Sequence, residues 1–173
     1  MGARLLPRNL PELFSYSLVL EREATRRYAE LESLMRKGGA MELADEFRKL
    51  GAEEKEQFEL LTLGTAGRDL PELAGWELAW YFTGVHKVPA PRTARDAIAC
   101  ALSFERCTQA FYNDVAENAR ADAVRAFAAE MANEEQRHIS RLETLLERES
   151  SLAESEAEDD ELLWLERPGS DPA

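Results

Sequence analysis

The chain has 173 residues, with 34 acids against 21 Lys and Arg and a net charge of −13. That length suits one domain with its own core, and the acidic balance argues against a nucleic-acid partner while permitting attraction of cations. Two Cys with no Cys-x-x-Cys pair exclude a ribbon-type thiolate zinc or iron site and suit a reducing, cytoplasmic setting.

The N-terminal stretch MGARLLPRNLPELF has two Arg, but two Pro interrupt any apolar run, so it does not read as a signal peptide. No run approaches the ~20 apolar residues that span a membrane, and no membrane partner is expected. The chain is rich in Ala, Leu, Glu and Arg, which predicts an all-α protein. The first helix is expected over about 11–36, with Pro11 in its first turn and Gly38-Gly39 at its end. The second is expected over about 40–63, with Leu43, Phe47, Leu50, Phe58 and Leu61 at helical spacing. A connector of nearly thirty residues follows, Thr65 to Arg92. It holds PELAGWELAWYF, read as a short aromatic helix, and the Pro-rich VPAP.

Thr93 is a good N-cap for a third helix over about 93–118. On a helix, Cys100 and Cys107 would lie ~10 Å apart along the axis, too far for a disulfide. Asp122 reads as the cap of a fourth helix ending near Glu149. From Glu149 onward nine acids and one Arg give the tail a charge of −8, leaving −5 for the body. Residues 150–173 are therefore expected to be a largely disordered tail beside a 1–149 bundle domain. Within the tail, DELLWLER reads as a frayed extension of the fourth helix or as an anchor, Leu162 to Leu165, for a partner protein. Two helical hairpins joined by a long crossover make a four-helix bundle.

The two halves repeat. LEREATRRY places Glu21 seven residues before Tyr28, and FERCTQAFY places Glu105 seven before Tyr112. AEEKEQFELL carries Glu54-x-x-Gln57, and NEEQRHISRL carries Glu135-x-x-His138. Glu21 to Glu105 spans 84 residues and Glu54 to Glu135 spans 81, so the parts recur in order at nearly one offset. Residues i and i+3 share a helix face, so a Glu and a His so spaced can turn inward together. Glu54 and Glu135 would bridge two metal ions, with Glu21 and Glu105 capping one each. Four carboxylates and one imidazole suit iron, with manganese as the alternative, and two divalent ions would offset charge that is costly to bury. Tyr28 and Tyr112, two turns from the capping Glu residues, are placed to hydrogen-bond a ligand carboxylate. Glu53 and Glu134, one residue out of register, are expected outside, and Glu21 is preferred over Glu23 because it matches Glu105.

On these motifs the chain resembles the rubrerythrin branch of the ferritin-like superfamily over about 13–147. The resemblance implies a ferritin-like four-helix bundle with a di-iron centre that reacts with O2 or H2O2. It implies Glu21, Glu54, Glu105, Glu135 and His138 as ligands, with Gln57 standing where the first His would be. Glu54 and Glu135, with Tyr28 and Tyr112, are the residues read as serving the reaction. Thr108 stands where the family's peroxidases often carry an extra Glu, and no four-Cys rubredoxin segment is present. The arrangement is then similar to a ferritin ferroxidase centre, and the ion near Glu105 and His138 should bind tighter than the ion near Glu21 and Gln57. The expected function is oxidation of Fe2+ in iron handling or oxidant defence, by a homodimer or larger assembly. The alternative is a degenerate site in a non-enzymatic binding module that acts through its acidic tail or its aromatic crossover. A di-iron hydroxylase would need an apolar pocket beside the site. His86, in the crossover, reads as a loop histidine, and Trp76, Trp80, Tyr81 and Phe82 as packing residues or a dimer face.

Overall fold

The computed structural model describes residues 6–73 and 91–165, with side chains to Ser151. Four helices make up the described chain: α1 Leu10–Lys37, α2 Met41–Gly64, α3 Ala94–Asn118 and α4 Asp122–Leu165. Among the described residues there is no strand, so the all-α, four-helix reading holds. PELAGWELAWYF lies almost wholly, and His86 entirely, outside the described residues.

Local chemistry sets the ends. The Asn9 side chain accepts the Glu12 amide at 2.9 Å, and Pro11 sits in the first turn of α1, where a missing N–H costs nothing. The α1–α2 turn passes through Gly39 at φ +83°, a left-handed conformation that disfavours a side chain. Thr93 caps α3 in a full capping box: its hydroxyl accepts the Asp96 amide while the Asp96 carboxylate accepts the Thr93 amide. Asp122 differs from expectation. It is the first residue inside α4, where its charge suits the helix N-terminus, and its carboxylate takes Arg125. Arg125 also donates to the Ala119 and Arg120 carbonyls and so ties off the α3–α4 turn. At its other end α4 continues to Leu165, past the expected stop at Glu149. The Ala, Leu and Glu of that stretch are strong helix formers, and no Gly or Pro interrupts them before Pro168.

Helix α1 packs along α2 and α3 along α4, and the hairpins meet chiefly through α1 with α3. Two apolar clusters fill the interior. One joins the first half of α1 to the second half of α3 and the start of α4, around Leu13, Leu20, Phe111, Val115, Val124 and Met131. The other joins the end of α1 and the start of α2 to the start of α3 and the middle of α4, around Leu31, Phe47, Leu50, Ile98 and Leu142. Shared membership in this second cluster puts the start of α3 at the end of the bundle where α2 starts. The second half of α2 is less covered, with Leu60 56% and Leu63 74% exposed. Between the clusters lies a polar layer of buried Glu21, Glu54, Glu105, Glu135 and His138.

Candidate metal centre

Each helix supplies this layer from the turn where its apolar stripe breaks. Glu21 stands between Leu20 and Ala24, Glu54 one turn after Leu50, Glu105 beside Phe104, and Glu135 and His138 between Ala132 and Ile139. The i, i+3 spacing on α4 turns Glu135 and His138 to one side. One ligand atom from each of Glu54, Glu105, Glu135 and His138 lies within 4.8 Å of the others. His138 Nδ1 comes to 2.7 Å from Glu54 Oε1 and 4.0 Å from Glu105 Oε2. The close approach to Glu54 is not aligned as a hydrogen bond. Glu54 Oε1, Glu105 Oε2, Glu135 Oε2 and His138 Nδ1 are all buried without a hydrogen-bond partner. Orphaned polar atoms are rare inside proteins and costly. Here four of them converge on one point.

The two tyrosines bond crosswise. Tyr28 of α1 donates its hydroxyl proton to Glu105 of α3, and Tyr112 of α3 donates to Glu21 of α1 at 3.2 Å. Each reaches the glutamate of the other half rather than its own. Burial, then the adjacent carboxylate, pushes both phenols well above their ordinary range, so both remain donors.

Electrostatics strain the layer. Burial, then the charge of Glu105, raises the Glu54 carboxyl to about 8. Burial followed by the charge of Glu54 pushes Glu21 well up, and burial followed by the charge of Glu105 does the same to Glu135. Carboxyls held this way give up their protons readily only to a cation that takes their place.

Glu23 stays at the surface with Arg26 and Arg27, as the repeat requires. Gln57 is half-buried and lines a cavity of about 320 Å3 beside the layer, together with Glu21, Glu54, Glu135 and His138. Thr108 is buried and bonds the Phe104 carbonyl of its own helix. The cavity lies in the seam between α2 and α4 and carries Glu53, Glu56 and Glu134 on its walls.

Sequence reasoning missed Glu53. It is half-exposed as expected, yet its Oε2 is 3.3 Å from His138 Nε2, and Arg141 holds its other oxygen at 2.9 Å. Arg141 also bonds Glu46 at 2.7 Å. The imidazole thus has a carboxylate oxygen near each nitrogen, Glu54 at Nδ1 and Glu53 at Nε2. The doubled Glu-Glu of each half marks a residue one register out, but nothing in it says which side chain of α4 that residue faces. Glu134 is likewise half-buried on the cavity wall rather than outside, with one oxygen buried and unpartnered and the other 3.1 Å from Arg137.

No family model matches the chain, and no curated protein matches it. Among solved structures it is similar to an uncharacterized conserved protein of Magnetospirillum magnetotacticum, at 23% identity and a TM-score of 0.70, over 81% of this chain and 95% of that one. Similarity at that identity is a similarity of fold. Among the described residues no helix is long and apolar enough to cross a membrane.

Proposed function

We propose that the chain is a di-metal protein of the ferritin-like, rubrerythrin type that oxidises Fe2+ with O2 or H2O2, in iron handling or oxidant defence. One observation carries the reading: four buried residues, three glutamates and a histidine, bring ligand atoms within 4.8 Å of one another, and each of the four has a buried polar atom without a hydrogen-bond partner. A donor set of that hardness, with one nitrogen, fits iron or manganese. When bound, the metal supplies the one-electron steps by which Fe2+ becomes Fe3+ and the oxidant is reduced.

The side chains divide the work. Glu53, Glu56 and Glu134 along the cavity draw cations inward. Glu54, Glu105, Glu135 and His138 hold the tighter position. Glu21, outside that cluster, and the neutral Gln57 on the cavity wall would make a second and weaker one. Glu54 and Glu135 release their protons as cations enter. Tyr28 and Tyr112 keep theirs and hold Glu105 and Glu21 in place. The four-helix fold supports the reading only as analogy; the donor set gives it content.

The test is anaerobic loading with Fe2+, counting of ions per chain, then admission of O2 or H2O2 while absorbance is followed. Two ions with rapid oxidation are expected, the second lost at lower affinity. Glu135→Ala should remove both. Retention of full stoichiometry in that variant would overturn the ligand assignment. An absence of bound ions in the unaltered chain would overturn the function and favour the binding-module reading.

A further inference from the structure

A second cavity, of about 140 Å3, opens on the opposite side of the polar layer, in the seam between α1 and α3. Its inner wall is formed by Tyr28 and Glu105, the hydrogen-bonded pair at the edge of the layer. Its sides are Leu31, Leu34, Ala101 and Phe104, with Cys100 half-buried among them. The two charged groups at its rim are already engaged on their own helix. Arg27 donates to Glu23 at 3.0 Å and lies over the Phe104 ring, 4.9 Å from its centroid. Glu30 is paired with Arg26.

We infer that this pocket is a binding site for a small, neutral, apolar molecule, from a gas such as dioxygen up to a single unsubstituted aromatic ring. The walls and the layer behind them decide the class. A cation would have to leave water between leucine, alanine and phenylalanine side chains, at a desolvation cost, to reach a Glu105 carboxylate whose facing oxygen is already bonded by Tyr28. An anion would meet Glu105 at the inner end and, among the described residues, find no free cation at the rim. A neutral apolar molecule has no charge to desolvate and gains contact with Leu31, Ala101 and Phe104, and a cavity of about 150 Å3 is known to be large enough for benzene or xenon. The two cavities therefore differ in what they admit. The acidic seam between α2 and α4 suits cations, and the apolar seam between α1 and α3 suits a neutral molecule that ends its path against the Tyr28–Glu105 pair. Binding in this pocket stands without the metal reading. Its use as the entry for a reactant rests on that reading.

The experiment uses the full chain without added metal. Benzene is titrated while methyl NMR signals are followed, and xenon is then admitted under pressure to the same sample. Saturable shifts confined to Leu31, Leu34 and Ala101 are expected with benzene, and xenon should shift the same methyls. Ala101→Phe, which fills the pocket from its floor, should remove both responses. Should that variant fail to fold, Cys100→Phe at a half-exposed position fills the same space from the side and should do likewise. Shifts that survive the filling variant, or none in the unaltered chain, would overturn the site. Benzene shifts without xenon shifts would place the ligand among organic molecules rather than gases, and the reverse would place it among gases; either keeps the site. Failure of Fe2+ loading in the unaltered chain would overturn the proposed function while leaving a positive benzene result standing.

Discussion

His138 shows how much one side chain depends on its outer neighbour. With Nε2 3.3 Å from Glu53 and Nδ1 turned into the cluster, the ring could ligate a metal through Nδ1 when Nε2 carries the proton, the tautomer that a nearby carboxylate favours. Replacing Glu53 by Ala should therefore weaken the tighter metal position by about 10–100-fold. Glu53→Gln, whose amide oxygen can still accept, should restore part of it. Nitrogen NMR of the imidazole in metal-free protein checks the cause: one tautomer, with the proton on Nε2, in the unaltered chain and a mixture in Glu53→Ala. An unchanged tautomer would sink the role given to Glu53. The contrast with Glu21 explains what the sequence disclosed at this scale. Glu21 could be chosen over Glu23 because a repeat named its counterpart, and the structure buries Glu21 while Glu23 pairs with Arg26 and Arg27. Glu53 had a counterpart too, but its partner lies on another helix, and the rotation of α2 against α4 is not written in either segment. The crosswise bonding of Tyr28 and Tyr112 was hidden for the same reason: seven-residue spacing places a tyrosine on a face, not opposite a particular carboxylate.

The helices were legible because each carries its own punctuation. Pro11, Gly38-Gly39 and Thr93 mark ends that local hydrogen bonds and backbone angles suffice to create. The acidity of residues 150–173 predicts disorder, but Glu, Ala and Leu without Gly or Pro also sustain a helix, and α4 runs on to Leu165 in keeping with the helix-extension reading of DELLWLER. What no local pattern announced is Gly51. A Cβ there would meet Tyr28 Cβ at 2.9 Å, so α1 and α2 touch through this glycine beside the tyrosine that holds Glu105. Gly51→Ala would gain up to about 1 kcal/mol in helix propensity. Both atoms in conflict are fixed to backbone, however, so the helices must part, at a cost of about 1–3 kcal/mol. The variant is expected to be less stable in urea than the parent, despite carrying the better helix former. A gain in stability would show that α1 and α2 do not approach this closely. The Thr93 cap gives a simpler case: Thr93→Ala loses the bond to the Asp96 amide and should cost about 1 kcal/mol.

Across the whole molecule, the carboxylate layer sets stability against pH. Burial and the neighbouring carboxylates push the Glu54 carboxyl up from its ordinary 4.5 to about 8, and push Glu21 and Glu135 in the same direction. Between those limits the folded chain holds more protons than the unfolded one, and the sign follows directly: stability falls as pH rises through that window. The metal-free protein should thus melt at its highest temperature near pH 5 and lose stability steadily to about pH 8. Glu54→Gln, which cannot ionise, should flatten that slope. A divalent cation reverses the order, because it replaces the protons that burial retains and its affinity grows as they leave. Melting curves with and without Mn2+ should therefore diverge with pH, showing a small increment at pH 5.5 and a large one at pH 8. If the metal-free protein instead grew more stable from pH 5 to pH 8, the layer would be ionised without a cation, and burial could not be what drives metal uptake. The two apolar clusters carry the fold on either side of the layer, so the interior stays packed around a destabilised centre, and a bound cation would relieve that centre.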